Sequence, residues 1–309
     1  MYTFFRLILI ALVIAPLYAA SAIAKSAAPE NCQSIPYDNG RLWKVMKDGR
    51  PPSYVFGTMH SNDPRILFMP GIIMQAFNGS RVLILETSLR DKTAAQSQAM
   101  MRKSAPYSLR QQIGPTLFGK LTGIVSRDYG IPPQILNSFQ IWAAAAFLSQ
   151  PPEQIKSNAK KPATLLDHEL EKTGRRMNKQ IVPLETMKEQ LSIFSRMSKN
   201  LQLEYLELAI QEYPNLEEEV AALSDYYIDG KIGWIFCMMN EGLAKISDGL
   251  VRVMKDQLII KRNKKMVSRM KHLVRKGQAF VAVGALHLPG EDGILSLLAA
   301  DGYKIEKMY

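Results

Sequence analysis

Phe280-Val-Ala-Val-Gly-Ala-Leu-His287 decides how this chain is read: a short apolar run passes into a glycine, and a histidine follows three residues later. Ser53-Tyr-Val-Phe-Gly-Thr-Met-His60 repeats the pattern near the other end of the chain. Glycine tolerates φ > 0 and lets other backbone come close, so each unit reads as a strand that ends in a turn. Each histidine then stands at a strand's carboxyl end, where open α/β sheets bind their ligands. With four histidines in 309 residues, the repeat is the first functional signal in the sequence.

Working outward, Arg81-Val-Leu-Ile-Leu-Glu-Thr-Ser88 is a continuous apolar run of the kind buried on both faces of a parallel sheet, and Glu86 stands where it stops. Asn178-Lys-Gln-Ile-Val-Pro-Leu-Glu185 is a further short strand, again closed by a glutamate. A carboxylate at the rim of a buried sheet must find a partner, because losing its water is costly. Leu42–Met46 and Ser53–Phe56 flank Asp48-Gly49 and predict a hairpin. Pro70 to Asn78 and Asp292 to Ala300 read as helices, the second capped through Asp292, and Tyr303 to Met308 alternates like a last strand.

Two longer stretches, about 91–162 and 187–271, are helical insertions punctuated by prolines and glycines, and a shorter helix begins at Thr164 or Asp167. The second insertion ends in Arg275-Lys276-Gly277, basic residues followed by a glycine stop. The expected fold class is therefore α/β, a central sheet carrying long helical insertions within one domain over residues 25–309.

The first residues stand apart from that domain. Arg6 followed by the apolar run Leu7 to Ala20, with small residues at Ala22 and Ala24, reads as a signal peptide over 1–24 cleaved after Ala24. The protein is expected to be exported, periplasmic or secreted; the alternative is an uncleaved anchor. Cys32 and Cys237 would then meet an oxidising compartment, either as one disulfide or as two separate thiols. The net charge of +11 is dispersed in short clusters interrupted by acidic runs such as Glu217-Glu218-Glu219. It lacks the basic stripe with interleaved aromatics that nucleic acid requires. The clusters fit solvated helix faces, or a weak attraction to anionic lipid head groups at a membrane surface or to the cell wall.

Four strand ends thus carry His60, Glu86, Glu185 and His287. Two imidazoles and a carboxylate are a sufficient ligand set for a divalent ion, and a further glutamate could move the proton. Each residue has a plainer alternative. The histidines could hydrogen-bond loop backbone, and the glutamates could pair with a basic residue such as Arg262. His168, beside Asp167, fits a polar helix start better than a ligand, and His272 fits a solvated basic helix. No Gly-x-Ser-x-Gly elbow, His-Glu-x-x-His helix or P-loop is present.

Tyr54-Val-Phe-Gly-Thr-Met-His60, Leu85-Glu-Thr-Ser88, Leu184-Glu-Thr186 and Val283-Gly-Ala-Leu-His-Leu-Pro-Gly290 resemble the TraB/GumN family, which includes pheromone-shutdown proteins and is related to the animal Tiki Wnt proteases. The likeness runs from about Leu42 to Tyr309. It implies a ChaN-like or erythromycin-esterase-like central sheet and, for the Tiki relatives, a metal-dependent peptidase. Carried over, His60, Glu86 and His287 would bind the ion (manganese, cobalt or zinc). Arg262-Asn263 looks like the family's Arg-Asn pair. The expected function is an exported metal-dependent hydrolase acting on small peptides or exposed protein tails, with Glu185 and Arg262 catalytic and Asn263 binding substrate. The alternative is a non-enzymatic protein that sequesters a peptide or a haem-like ligand in the same cleft.

Overall fold

The apolar runs assemble into one mixed sheet of six strands in the order β4-β3-β5-β2-β1-β6. In chain order these are β1 (Leu42–Met46), β2 (Ser53–Thr58), β3 (Val82–Leu85), β4 (Gln180–Pro183), β5 (Ala279–Gly284) and β6 (Lys304–Lys307). The computed structural model describes Pro29, residues 32–88, Arg90, residues 94–155 and residues 165–309. The expected signal peptide, Lys160-Lys161 and Thr164 lie outside the described residues.

Strands β2, β5, β3 and β4 run parallel, and β1 and β6 add the antiparallel edge. The β1–β2 hairpin turns where expected, with Asp48 and Gly49 both left-handed at φ 55 and 64. Strand β5 enters last among the parallel strands, slotting between β2 and β3. Ala279 to Val283 are fully buried, which explains their unbroken apolar character: both faces of β5 are covered. Around them Phe56, Phe77 and Phe280 interlock, with ring centroids 5.8 and 5.3 Å apart.

The helical insertions build a second core of their own. Helix Lys199–Glu212 packs on helix Ile141–Leu148, and Trp142 stacks on Phe194 at 6.1 Å. Two stretches far apart in sequence therefore bury each other's apolar faces, which neither could do alone. The basic helix Arg262–Lys276 returns the chain to the sheet: Met266, Val267, Met270 and Val274 belong to the sheet's core.

One local expectation is corrected. Helix Ile294–Ala300 is not capped by Asp292; Gly293 holds the cap position without a side-chain bond. The chain doubles back so tightly there that a Cβ on Gly293 would lie 2.3 Å from the Leu288 carbonyl oxygen, and Asp292 is left outside the cap. The stretch before Arg262 is helical as expected and takes a particular form, since Arg252–Lys261 is a π-helix running directly into Arg262–Lys276. Cys32 and Cys237 are both free and half-buried. Burial, then the neighbouring Cys32 thiol, pushes the Cys237 thiol up to about 12.

Candidate active site

All four parallel strands point their carboxyl ends to one rim of the sheet, and the four expected side chains follow directly: His60 after β2, Glu86 after β3, Glu185 after β4 and His287 after β5. Pairing between β3 and β4 continues one residue past the strands. Glu185 N–H donates to the Glu86 carbonyl at 2.7 Å, setting the two glutamates side by side. Thr186 then starts helix Met187–Ser195 through a capping box with Glu189, so the chain turns away as soon as Glu185 is placed.

Two neighbouring carboxylates need a counter-charge, and Arg262 supplies it. Its Nη2 donates to Glu86 Oε2 at 2.7 Å and its Nε to Glu185 Oε2 at 2.8 Å. Its Nη1 donates to the Leu258 carbonyl at 3.3 Å, within the π-helical segment. Wide π turns recur at functional sites. Here the wide turns deliver a guanidinium to the rim. Burial works against the Arg262 charge, but Glu86 and Glu185 outweigh it and its pKa is raised. The ion pair weighed above for the glutamates is thus present.

His287 lies behind the same guanidinium. Asn263 Nδ2 donates to the Asp292 carbonyl at 2.8 Å, which turns its Oδ1 to His287 Nδ1 at 2.6 Å. Nδ1 therefore carries the ring hydrogen, and the Nε2 lone pair accepts from Arg262 Nη1 at 3.2 Å. Burial pushes the His287 pKa down to about 4, against the pull of Glu86. For Glu86 burial acts the other way, yet His287, Arg262, His60 and the Gly284 N–H together hold its carboxyl at about 2. Since His287 is neutral above about pH 4, Arg262 is the lasting charge opposite Glu86. The Gly284 N–H donates to Glu86 Oε1 at 2.5 Å, and His287 Nε2 stands 3.7 Å from that oxygen.

His60 is turned elsewhere. Its Nδ1 faces Asp167 Oδ2 at 3.5 Å, while the Thr58 hydroxyl donates to Asp167 Oδ1 at 2.8 Å. His60 and Asp167 line a cleft with Glu86, Thr87, His168 and Glu171. Asp167 and Gln190 are the residues the sequence reading missed. Gln190 Nε2 reaches Glu86 Oε2 at 3.5 Å and Glu185 Oε2 at 3.4 Å. The signal for Asp167 was present in Leu166-Asp-His-Glu169, a polar group opening an amphipathic helix, but only its capping use was weighed. Helix Leu166–Arg176 is capped instead at Leu165 with no side-chain bond, and that leaves Asp167 free to turn to Thr58 and His60.

The donor chemistry suits a divalent ion. His287 presents an Nε2 lone pair, Glu86 is ionised, and His287 has its Nδ1 bonded to an oxygen, as metal-bound histidines commonly do. As arranged, Arg262 is the cation facing Glu86 and His287. Among the described residues, no three His, Cys, Asp or Glu side chains are gathered closely enough to hold a metal.

The sequence model of the TraB/PrgY/gumN family matches residues 41–307, nearly the whole chain. No curated relative and no solved structure matches significantly.

Proposed function

This chain belongs to the TraB/PrgY/gumN family, and from that premise we propose that it is an exported, metal-dependent hydrolase cutting small peptides or exposed protein tails at the rim of its sheet. The observation that carries the reading is the convergence of His60, Glu86, Glu185 and His287 on one rim, with Arg262 bonded to three acceptors among them. The finer fold that goes with it is a ChaN-like or erythromycin-esterase-like sheet.

His60, Glu86 and His287 would hold the ion, manganese, cobalt or zinc. Bound there, it would polarise a scissile carbonyl and acidify a water. Arg262 would give up its bonds to Glu86 Oε2 and His287 Nε2 on loading, and its guanidinium would then face the developing oxyanion. Asn263 would keep the His287 ring in its tautomer and also meet the substrate. Glu185 would take the proton: protonation weakens its bond to Arg262 Nε and frees the guanidinium to move.

Metal analysis after exhaustive dialysis tests this directly. The wild-type chain is expected to retain a divalent ion and to cleave an unstructured peptide, with a chelator stopping cleavage and the His60→Ala/His287→Ala double variant losing the ion. Equal trace metal in both proteins would overturn the site. Peptide binding without turnover across manganese, cobalt and zinc would replace the hydrolase with the sequestering protein.

A further inference from the structure

The cleft beside His60 is a small notch against the first turn of helix Leu166–Arg176. Two buried polar atoms there have no hydrogen-bond partner: Asp167 Oδ2 and His168 Nε2. His168 is only 5% exposed. The other carboxylates of the notch are already paired, Glu86 with Arg262 at 2.7 Å and Glu171 with Arg175 at 2.5 Å. Asp167 has the Thr58 hydroxyl on Oδ1, while on Oδ2 it has only His60 at 3.5 Å, with no hydrogen bond closed.

A buried carboxylate oxygen left without a donor is costly. The occupant that satisfies it must donate hydrogen bonds, and beside a carboxylate a cation does so best. Size narrows the choice. The cleft lined by His60, Leu85, Glu86, Thr87, Asp167, His168 and Glu171 is small, with room for about one water-sized group. A single ammonium head is a cation of that size.

We propose that this notch is a subsite for a primary ammonium group carried by the substrate, with Asp167 Oδ2 and His168 Nε2 as its acceptors. The proposal rests on reading the rim as a hydrolase site and narrows it to peptides bound beside a free amine. That amine is either the amino terminus or a lysine side chain.

The test is calorimetric titration of the purified chain with trialanine amide, its N-acetyl form, and N-acetylated alanyl-lysyl-alanine amide. At least one amine-bearing peptide is expected to bind about tenfold or more tighter than N-acetyl trialanine amide, the scale of a charge-assisted contact. A preference for trialanine amide assigns the amino terminus, and one for the lysyl peptide assigns the side chain. Asp167→Asn is expected to erase the preference, and His168→Leu to reduce it. Equal affinities for all three peptides, no binding by any, or a preference that survives in Asp167→Asn would overturn the proposal. The wild-type comparison stands even where a variant folds poorly. Amine preference without cleavage would remove the hydrolase reading and leave the subsite. Cleavage that ignores the amine would do the reverse.

Discussion

His60 and His287 close the same four-residue motif on adjacent parallel strands, paired through Gly57 and Val283, yet they end in contrasting surroundings. His287 is buried, with one nitrogen fixed by Asn263 and the other faced by a guanidinium. His60 is half-buried on a cleft, and its neighbour is a carboxylate 3.5 Å away. The motif itself fixes only where each ring stands, at a strand's end. What each ring can do is set by side chains arriving from helices, Arg262 and Asn263 for one and Asp167 for the other.

The contrast is broken most forcefully at Arg262. Arg262→Met should leave Glu86 and Glu185 side by side without their shared cation, in a setting where Arg262 is 5% exposed and Glu185 4%. Removing one partner of a buried pair commonly costs about 3–5 kcal/mol. Chemical denaturation should show a loss of that size. A loss below ~1 kcal/mol would mean that the two glutamates are solvated or share a proton, and that Arg262 is not what holds the His287 side together.

That dependence also marks the limit of what the sequence could convey. The strands and their end residues were legible, because continuous apolar runs such as Val82–Leu85 and Ala279–Val283 have few alternatives in a chain of this size. Arg262 was legible as a candidate partner, but its geometry depends on the π-helical Arg252–Lys261, and Leu258-Ile-Ile260 suits an α- or a π-helix equally. The two motif glycines serve close packing rather than a left-handed turn. Both permit close approach, and neither needs a positive φ. Asp167 was hidden by its position, since an acidic residue at a helix start ordinarily explains itself.

Proton uptake gives the next largest contrast. An unfolded histidine gains its proton near pH 6.5, whereas folded His287 resists until about 4. Between those values the unfolded chain binds more protons, so stability should fall as pH drops from about 6.5 to 4. His168, also held at about 4, adds to the same slope. Glu86, lowered from 4.5 to about 2, continues it with the same sign at lower pH. Denaturant midpoints measured from pH 7 to 4.5 should fall steadily in the wild type and less steeply in His287→Asn. An unchanged slope in that variant would show that His287 is not held neutral by its surroundings.

The glycines sharpen the comparison at a smaller scale. A Cβ on Gly57 would lie 2.9 Å from Leu288 Cδ1 and 3.2 Å from the Ala285 Cα, where the two motif units pack on each other. A Cβ on Gly284 would lie 3.1 Å from Glu86 Oε1. Gly57→Ala should therefore act as overpacking in the sheet, a loss of about 1–3 kcal/mol. Gly284→Ala should cost less in stability, since a carboxylate at the rim can give way, while displacing Glu86 from the Gly284 N–H. Thermal melts of the two variants separate these outcomes, and equal shifts would count against the assignment.

Asp167→Asn should have the smallest effect on stability. The amide keeps an oxygen for the Thr58 hydroxyl, and the lost carboxylate stands 3.5 Å from a His60 side chain that is 17% exposed. Its Oδ2 closes no hydrogen bond in the fold, so little is lost when the charge is removed. The variant should fold and melt close to the wild type, although it sits beside the same motif whose partner at the other strand costs several times more to remove. A melt as damaged as that of Arg262→Met would mean that Asp167 anchors His60 as firmly as Arg262 and Asn263 anchor His287. The two units would then be equivalent structural posts, and the cleft beside His60 would lose its claim to be the open side of the site.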